Sequence, residues 1–415
     1  MSGDLTLRHL DHYVQETVNF LISKLARDQT VSPPIAGWHN FFKPERIGTT
    51  GSAVPLLFLS KVNADFSYRQ EVVNKLLTSQ FVQGSWAVLS LADTPTVEGT
   101  AWPLRALAIA GDSRARSAVF RAEEWLLSQQ SEQGAWGSTI ENPPRTLLTA
   151  ISVESLASLT SPSRDAIIRA IRWFGQSQRP DGSWGEEPGG DGTVFHTAVV
   201  TNALLEIGLP PSDPRIAAGV SFLKTKWVPN SRNFLQEIYD VHFDGIYSRD
   251  VIEPDIDSAA IGVLRKVRPS WATPTILNAV HEMVELYLQG GRLSPPNLQP
   301  SIWNIIPRAT LFFELLKSFP VAEDGRVLSF PETIMYSPSH LSKRSVVNML
   351  LRRIVIPRFR LTSIFLLVFV AITSVVGYLY YTGSVRFSDV ILSLFVELAG
   401  LSLTIYVDRK LAKNG

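Results

Sequence analysis

The sequence predicts an all-α protein, a double ring of six helix pairs over residues 1–325 with a membrane-anchoring tail behind it. Three observations predict it. A Q-x-x-x-G-x-W pattern recurs at a near-constant interval, each copy lying between two helical segments. The second helix of each pair is more apolar than the first. The C-terminal end carries two long apolar runs flanked by basic residues. The composition agrees: 45% hydrophobic residues and a net charge of +1 over 415 residues suit a chain with a sizeable core. Without a basic excess, nucleic acid is not an expected partner. The absence of cysteine excludes disulfides, thiolate nucleophiles and cysteine-ligated zinc.

The clean copies of the pattern are Gln80–Gly84–Trp86, Gln130–Gly134–Trp136 and Gln178–Gly182–Trp184, their tryptophans 50 and then 48 residues apart. Each follows a helical segment (68–79, 117–129, 164–177) and precedes a more apolar one (97–110, 145–159, 194–207). Weaker copies flank them. Residues 5–25 and 52–59, with Gly37-Trp38 between, form an earlier pair. Residues 215–226 with 256–267, and 275–289 with 302–318, form two later ones. A helix pair of this kind cannot bury a core alone, so stacked neighbours must share it. With six repeats, the apolar second helices are expected to close into an inner ring. The glutamines can bond to free backbone groups at helix ends while each Trp covers the turn beneath it, a scaffolding role.

The Q-x-x-x-G-x-W repeats resemble the QW motifs of squalene–hopene and oxidosqualene cyclases and related class II terpene cyclases. The resemblance covers roughly residues 5–320 and implies an (α/α)6 barrel, the fold shared with protein prenyltransferase β subunits. It also implies a proton donor. Pro254-Asp255-Ile256-Asp257-Ser258-Ala259-Ala260 is similar to the family's D-x-D-D-T-A motif at its first and third positions and departs from it at the fourth and fifth, Ser258 and Ala259. The third position carries the family's acid, so Asp257 inherits that role, with Asp255 and Glu253 beside it. Read without the resemblance, the same acids stabilise a helix start, Asp255 or Asp257 acting as the N-cap.

Other candidates lie at equivalent helix starts. Glu98 and His196 are read as groups facing the barrel mouth, or else as a helix-start acid and a hydrogen-bonded core histidine. Trp102, Phe243, Tyr247 and Trp271 are candidate ring faces for a carbocation, or simple core. With Ser258 and Glu253 they complete the substrate-binding set. Phe195-His196-Thr197 resembles the segment carrying the zinc-binding histidine of prenyltransferase β subunits, but the matching Asp and Cys ligands are absent. No metal site is expected, and Mg²⁺ enters only to hold a diphosphate. The loop from His242 to Asp250 reads as a lid.

Residues 326–360 read as a linker ending in a basic juxtamembrane helix, and 361–407 as a transmembrane hairpin. Residues 361–381 form an uncharged 21-residue run and 390–407 an 18-residue run interrupted only by Glu397, whose role stays open. Basic residues before the first span and in the 408–415 tail place the barrel on the cytoplasmic side of a membrane in a multi-pass protein. The start of the chain shows no signal peptide. The expectation is a membrane-anchored, class II terpene cyclase-like enzyme acting on a linear isoprenoid. A second subunit or a homo-oligomer is one way to complete a cavity that larger cyclases build from two barrels. The alternative is a non-catalytic barrel that binds an isoprenoid lipid or a protein partner.

Overall fold

The computed structural model describes residues 7–317 apart from 44–46, 89–93, 235–238, 243–248, 253 and 296–297. The chain divides into two units, Met1–Met335 and Tyr336–Gly415. The second unit lies outside the described residues, and with it the expected linker, hairpin, Glu397 and basic tail. No helix among the described residues is long and apolar enough to cross a membrane.

Twelve α-helices fill the described part of the first unit, alternating between two rings. The odd-numbered ones are α1 (Leu7–Ser23), α3 (Arg69–Thr78), α5 (Arg116–Ser128), α7 (Arg164–Ser177), α9 (Pro214–Thr225) and α11 (Ala272–Gly290). The even-numbered ones are α2 (Thr49–Lys61), α4 (Val97–Ala110), α6 (Thr146–Ala157), α8 (Val194–Glu206), α10 (Ile256–Val267) and α12 (Ile305–Leu316). Each even helix packs against the next, α2 on α4 through to α10 on α12, and α12 returns to α2. That contact closes the ring, as the repeat number predicts. α2 buries every residue from Thr49 to Leu59, as a helix walled in on all sides must. α7 buries one stripe only, Ala166, Ile167, Ala170, Trp173 and Phe174.

Local chemistry sets the boundaries. Thr96 and Thr193 cap α4 and α8 by accepting from the backbone N–H three residues on. Asp213 caps α9 ahead of Pro214, whose missing N–H costs nothing in a first turn. Gly111, at φ 69°, ends α4 in the left-handed conformation. Three short antiparallel hairpins interrupt the helices: β1 (Ala26–Asp28) with β2 (Ile35–Gly37), β3 (Trp227–Val228) with β4 (Asn233–Phe234), and β5 (Tyr239–His242) with β6 (Arg249–Ile252). The expected lid loop is thus flanked by paired strands, its 243–248 tip lying outside the described residues.

The Gln/Trp repeats staple the rings together. Gln130 Nε2 donates to Gly134 O in its own loop at 2.7 Å and to Ala166 O on the next outer helix at 2.9 Å. Gln80 and Gln178 do the same to Ala118 O and Arg215 O. The indole N–H groups of Trp86, Trp136 and Trp184 donate to the carbonyls of Leu76, Leu126 and Phe174, and all three rings are fully buried. Each buried Trp removes roughly 200 Å² from water, a stabilisation on the order of 5 kcal/mol. Gly84 takes φ 100°, and a Cβ there would stand 2.3 Å from Arg121 O, so only glycine fits. Trp38 repeats the arrangement in the first pair, donating to Leu21 O.

Candidate functional site

The inner ring encloses a cavity of about 640 Å³ lined by all six even helices. The even helices run in the same direction, so their N-terminal turns gather at one end and their C-terminal turns at the other. Much of the wall is apolar, with Leu57, Phe58, Ile151, Phe195, Ile306 and Leu311 among its residues. Trp102 and Trp303 join this wall, their ring centroids 5.9 Å apart and tilted by 59°. At the N-terminal end stand Glu98, His196, Asp255 and Ser258, each buried.

Asp255 and Ser258 lie on the cavity wall, whereas Asp257 is not among its described lining residues. The reason is helical phase. From Asp255, the wall is built by Ser258, Ala259, Gly262, Arg265 and Lys266, spaced three and four residues apart, and Asp257 falls between these positions. The Asp257 carboxylate, half-buried, instead accepts from Phe234 N–H at 2.7 Å and ties β4 to the start of α10. The residue that inherited the proton-donor role therefore stands off the cavity, and its neighbour in the motif stands on it.

Asp255 is fully engaged. Its Oδ1 accepts from Ser258 N–H at 3.1 Å, which makes it the N-cap of α10. Its Oδ2 accepts from Arg308 Nε at 2.7 Å, and the two side chains are 2% and 5% exposed. The Ser258 hydroxyl, buried on the wall, has no hydrogen-bond partner. Across the ring, the His196 Nδ1 lies 2.9 Å from Thr193 Oγ1, and burial pushes its pKa down to about 3, so the imidazole is neutral. Glu98 occupies the first turn of α4, where the helix N-terminus favours an acid.

Trp271 lies away from the cavity, at the N-cap of α11 with the Lys224 ammonium 5.7 Å from its ring. Glu253, Phe243 and Tyr247 lie outside the described residues. Among the described residues no cluster of three or more His, Asp or Glu could hold a metal ion. Two groups were not read from the sequence as site residues. Trp303 lies in the connection before α12, where no repeat signal marks it. The polar residues toward the C-terminal ends of the inner helices carry a sequence signal of their own, since Arg105, Glu154 and Asn202 recur at intervals of 49 and 48, the period of the repeat.

Residues 119–226 match the family model of the squalene-hopene cyclase N-terminal domain. No curated protein matches the sequence. Among solved structures the chain is similar to the type II terpene cyclase MstE from Scytonema, at 14% identity over 76% of this chain and 99% of that one, with a TM-score of 0.50. It is similar to the same degree to a GH76 alpha-mannanase from Bacteroides thetaiotaomicron, at 12% identity over 74% and 95% of the two chains and a TM-score of 0.50. A further match, ent-copalyl diphosphate synthase from Streptomyces platensis, has 21% identity over 59% of this chain and a TM-score of 0.40. The chain spans 44% of that protein's length. The family match, with the Gln/Trp repeats around it, supports the squalene–hopene cyclase superfamily. The structural likenesses show the fold, which serves sugar hydrolysis as well as terpene chemistry.

Proposed function

We propose that the protein is a class II terpene cyclase-like enzyme whose barrel takes the chain of a linear isoprenoid. The observation that carries this reading is the cavity, a largely apolar space of about 640 Å³ with indole rings in its wall and carboxylates, Asp255 among them, at the N-terminal end of the inner helices. Its size falls within the roughly 300–1,000 Å³ of small-molecule sites. A cyclisation initiated by a proton needs an acid at one end of a dry channel and ring faces along it to stabilise carbocations. Trp102, Trp303 and Phe195 meet the second need. For the first, Asp255 is the member of the inherited motif that reaches the wall, and the family match over residues 119–226 supports the reaction class. The apolar runs at 361–381 and 390–407 support a role at a membrane surface, where such a substrate partitions. Retention of the full chain in the membrane pellet under alkaline carbonate, against release of a chain ending at 325, tests that part.

One observation favours a second reading, a barrel that binds an isoprenoid without transforming it. Both Asp255 oxygens already accept hydrogen bonds, from Arg308 and from the α10 backbone, so a transferable proton has only their remaining lone pairs. Incubating the full chain with farnesyl diphosphate, geranylgeranyl diphosphate and squalene, and analysing extracts by mass spectrometry, separates the two. Cyclic products lost in Asp255→Asn and retained in Asp257→Asn are expected. Loss in Asp257→Asn alone moves the acid back to Asp257. Binding of a chain with no product from any substrate leaves the second reading.

A further inference from the structure

The far end of the cavity, at the C-terminal turns of the inner helices, carries a belt of charge that cyclisation chemistry does not use. Arg105 on α4 pairs with Glu154 on α6. Asn202 on α8 donates to Glu154 Oε1 at 2.5 Å, and Lys266 on α10 donates to Asn202 Oδ1 at 2.6 Å and to Glu206. Arg265 reaches across to Glu314 on α12 at 3.5 Å.

Helix C-termini carry negative partial charge and favour cations in their last turns, which accounts for basic residues at this end. It does not account for how they are paired. Among the described lining residues here, five are cations (Lys61, Arg105, Arg265, Lys266 and Lys317) and three are carboxylates, Glu154, Glu206 and Glu314. Two cationic donors are left over. Lys61, the last residue of α2, has no ion pair or hydrogen bond with any of the described residues. The Nε of Arg105 is buried with no acceptor. Lys61 shares its helix face with Val54, Leu57 and Phe58, and its pKa falls to about 8 through burial first and the Arg105 guanidinium second. Charges removed from water are ordinarily paired. An ammonium and a guanidinium that repel each other inside a cavity, each with a donor to spare, are matched by an anionic ligand that accepts from both.

We propose that this end of the cavity is an anion subsite, built by Lys61, Arg105 and Lys266, for the phosphate or diphosphate head group of a prenyl ligand. A surplus of two positive charges, offered by three helices, suits a group with several anionic oxygens better than one carboxylate. The chain then lies along the apolar wall and brings its far end to Trp102, Trp303 and Asp255. The assignment of the chain rests on the isoprenoid reading above; the head-group site does not require turnover.

The test uses the full chain in a neutral detergent, titrated calorimetrically with geranylgeranyl diphosphate, geranylgeraniol and inorganic pyrophosphate. The diphosphate is expected to bind at least tenfold more tightly than the alcohol, pyrophosphate is expected to bind alone, and both affinities should fall with added salt. Lys61→Met removes no hydrogen bond or ion pair to a described residue, so it should fold, and it should erase the preference for diphosphate over alcohol. A purely structural Lys61 would change the melting temperature and leave that preference intact. Equal affinity for alcohol and diphosphate, or a Lys61→Met protein that still discriminates, overturns the subsite. Discrimination with no cyclic product overturns the cyclase reading alone, and cyclisation of squalene without discrimination overturns the subsite alone.

Discussion

Arg308 Nε donates to Asp255 Oδ2 at 2.7 Å in the interior of the barrel, so the cap of α10 is held by a charge on α12. Removing one member of a buried ion pair strands the other, and the loss is typically about 3–5 kcal/mol. Arg308→Met should fall in that range by chemical denaturation. Adding Asp255→Asn to it should recover part of the loss, because Asn still caps the helix and carries no charge. Losses that simply add would mean that the pair is not coupled.

Gly262 stands in the middle of α10 with no atom within 4 Å of where a Cβ would lie, because that face looks into the cavity. Glycine inside a helix is about 1 kcal/mol less favourable than alanine. Gly262→Leu should therefore leave stability unchanged or raise it, while taking up volume that an isoprenoid chain needs. Expected is a weakening of geranylgeraniol binding by tenfold or more with no drop in melting temperature. A destabilised variant would show that the cavity is narrower than its lining implies.

The Gln/Trp staples are structural, and their removal should show as instability without a change of ligand preference. Trp136→Phe deletes the bond to Leu126 O and should cost about 1–3 kcal/mol. Gln130→Ala severs a link between two repeats and leaves the carbonyls of Gly134 and Ala166 without its amide, with a loss of similar size. Equilibrium denaturation measures both. If diphosphate binding weakens in step, the staples reach further into the site than their contacts indicate.

Lys61 gives a pH signature. Its folded pKa of about 8 lies below the ordinary 10.5, so between those values the unfolded chain holds more protons and stability rises with pH. Below pH 8 both states hold the proton and the full cost of the buried charge is present, on the order of 1–3 kcal/mol. Lys61→Met should be the more stable protein at pH 7, and its advantage should shrink between pH 8 and 10.5. An advantage constant with pH would assign it to packing instead of charge.

Much of the scaffold was legible because repetition constrains it. The expected segment at 145–159 appears as Thr146–Ala157 and the one at 52–59 as Thr49–Lys61, the ends shifting by one to three residues. A finer repeat was present and unread. Ser52, Thr100, Thr149 and Thr197 each accept from the backbone N–H of the repeat's Trp, so a hydroxyl on each of α2, α4, α6 and α8 fixes the loop above it. The site was harder. The family resemblance points to Asp257 by position along the chain, whereas the helical phase of α10 puts Asp255 and Ser258 on the cavity wall. The charged belt is hidden for a related reason, since its members lie on successive repeats and become neighbours only when the repeats stack.

That closure has a consequence in time. Ile302 N–H donates to Asn40 O at 2.9 Å, and α12 packs on both α1 and α2, so the earliest segments of the chain have their partners among the last of the barrel. An open solenoid can consolidate repeat by repeat as it leaves the ribosome. This ring cannot. At about 5–20 residues per second, the free flank of α2 waits roughly 10–50 seconds for α12 to be made. Through that interval Val54, Leu57 and Phe58 belong to an unfinished wall, and the nascent chain is an apolar crescent that chaperones or a membrane surface can claim before the barrel shuts.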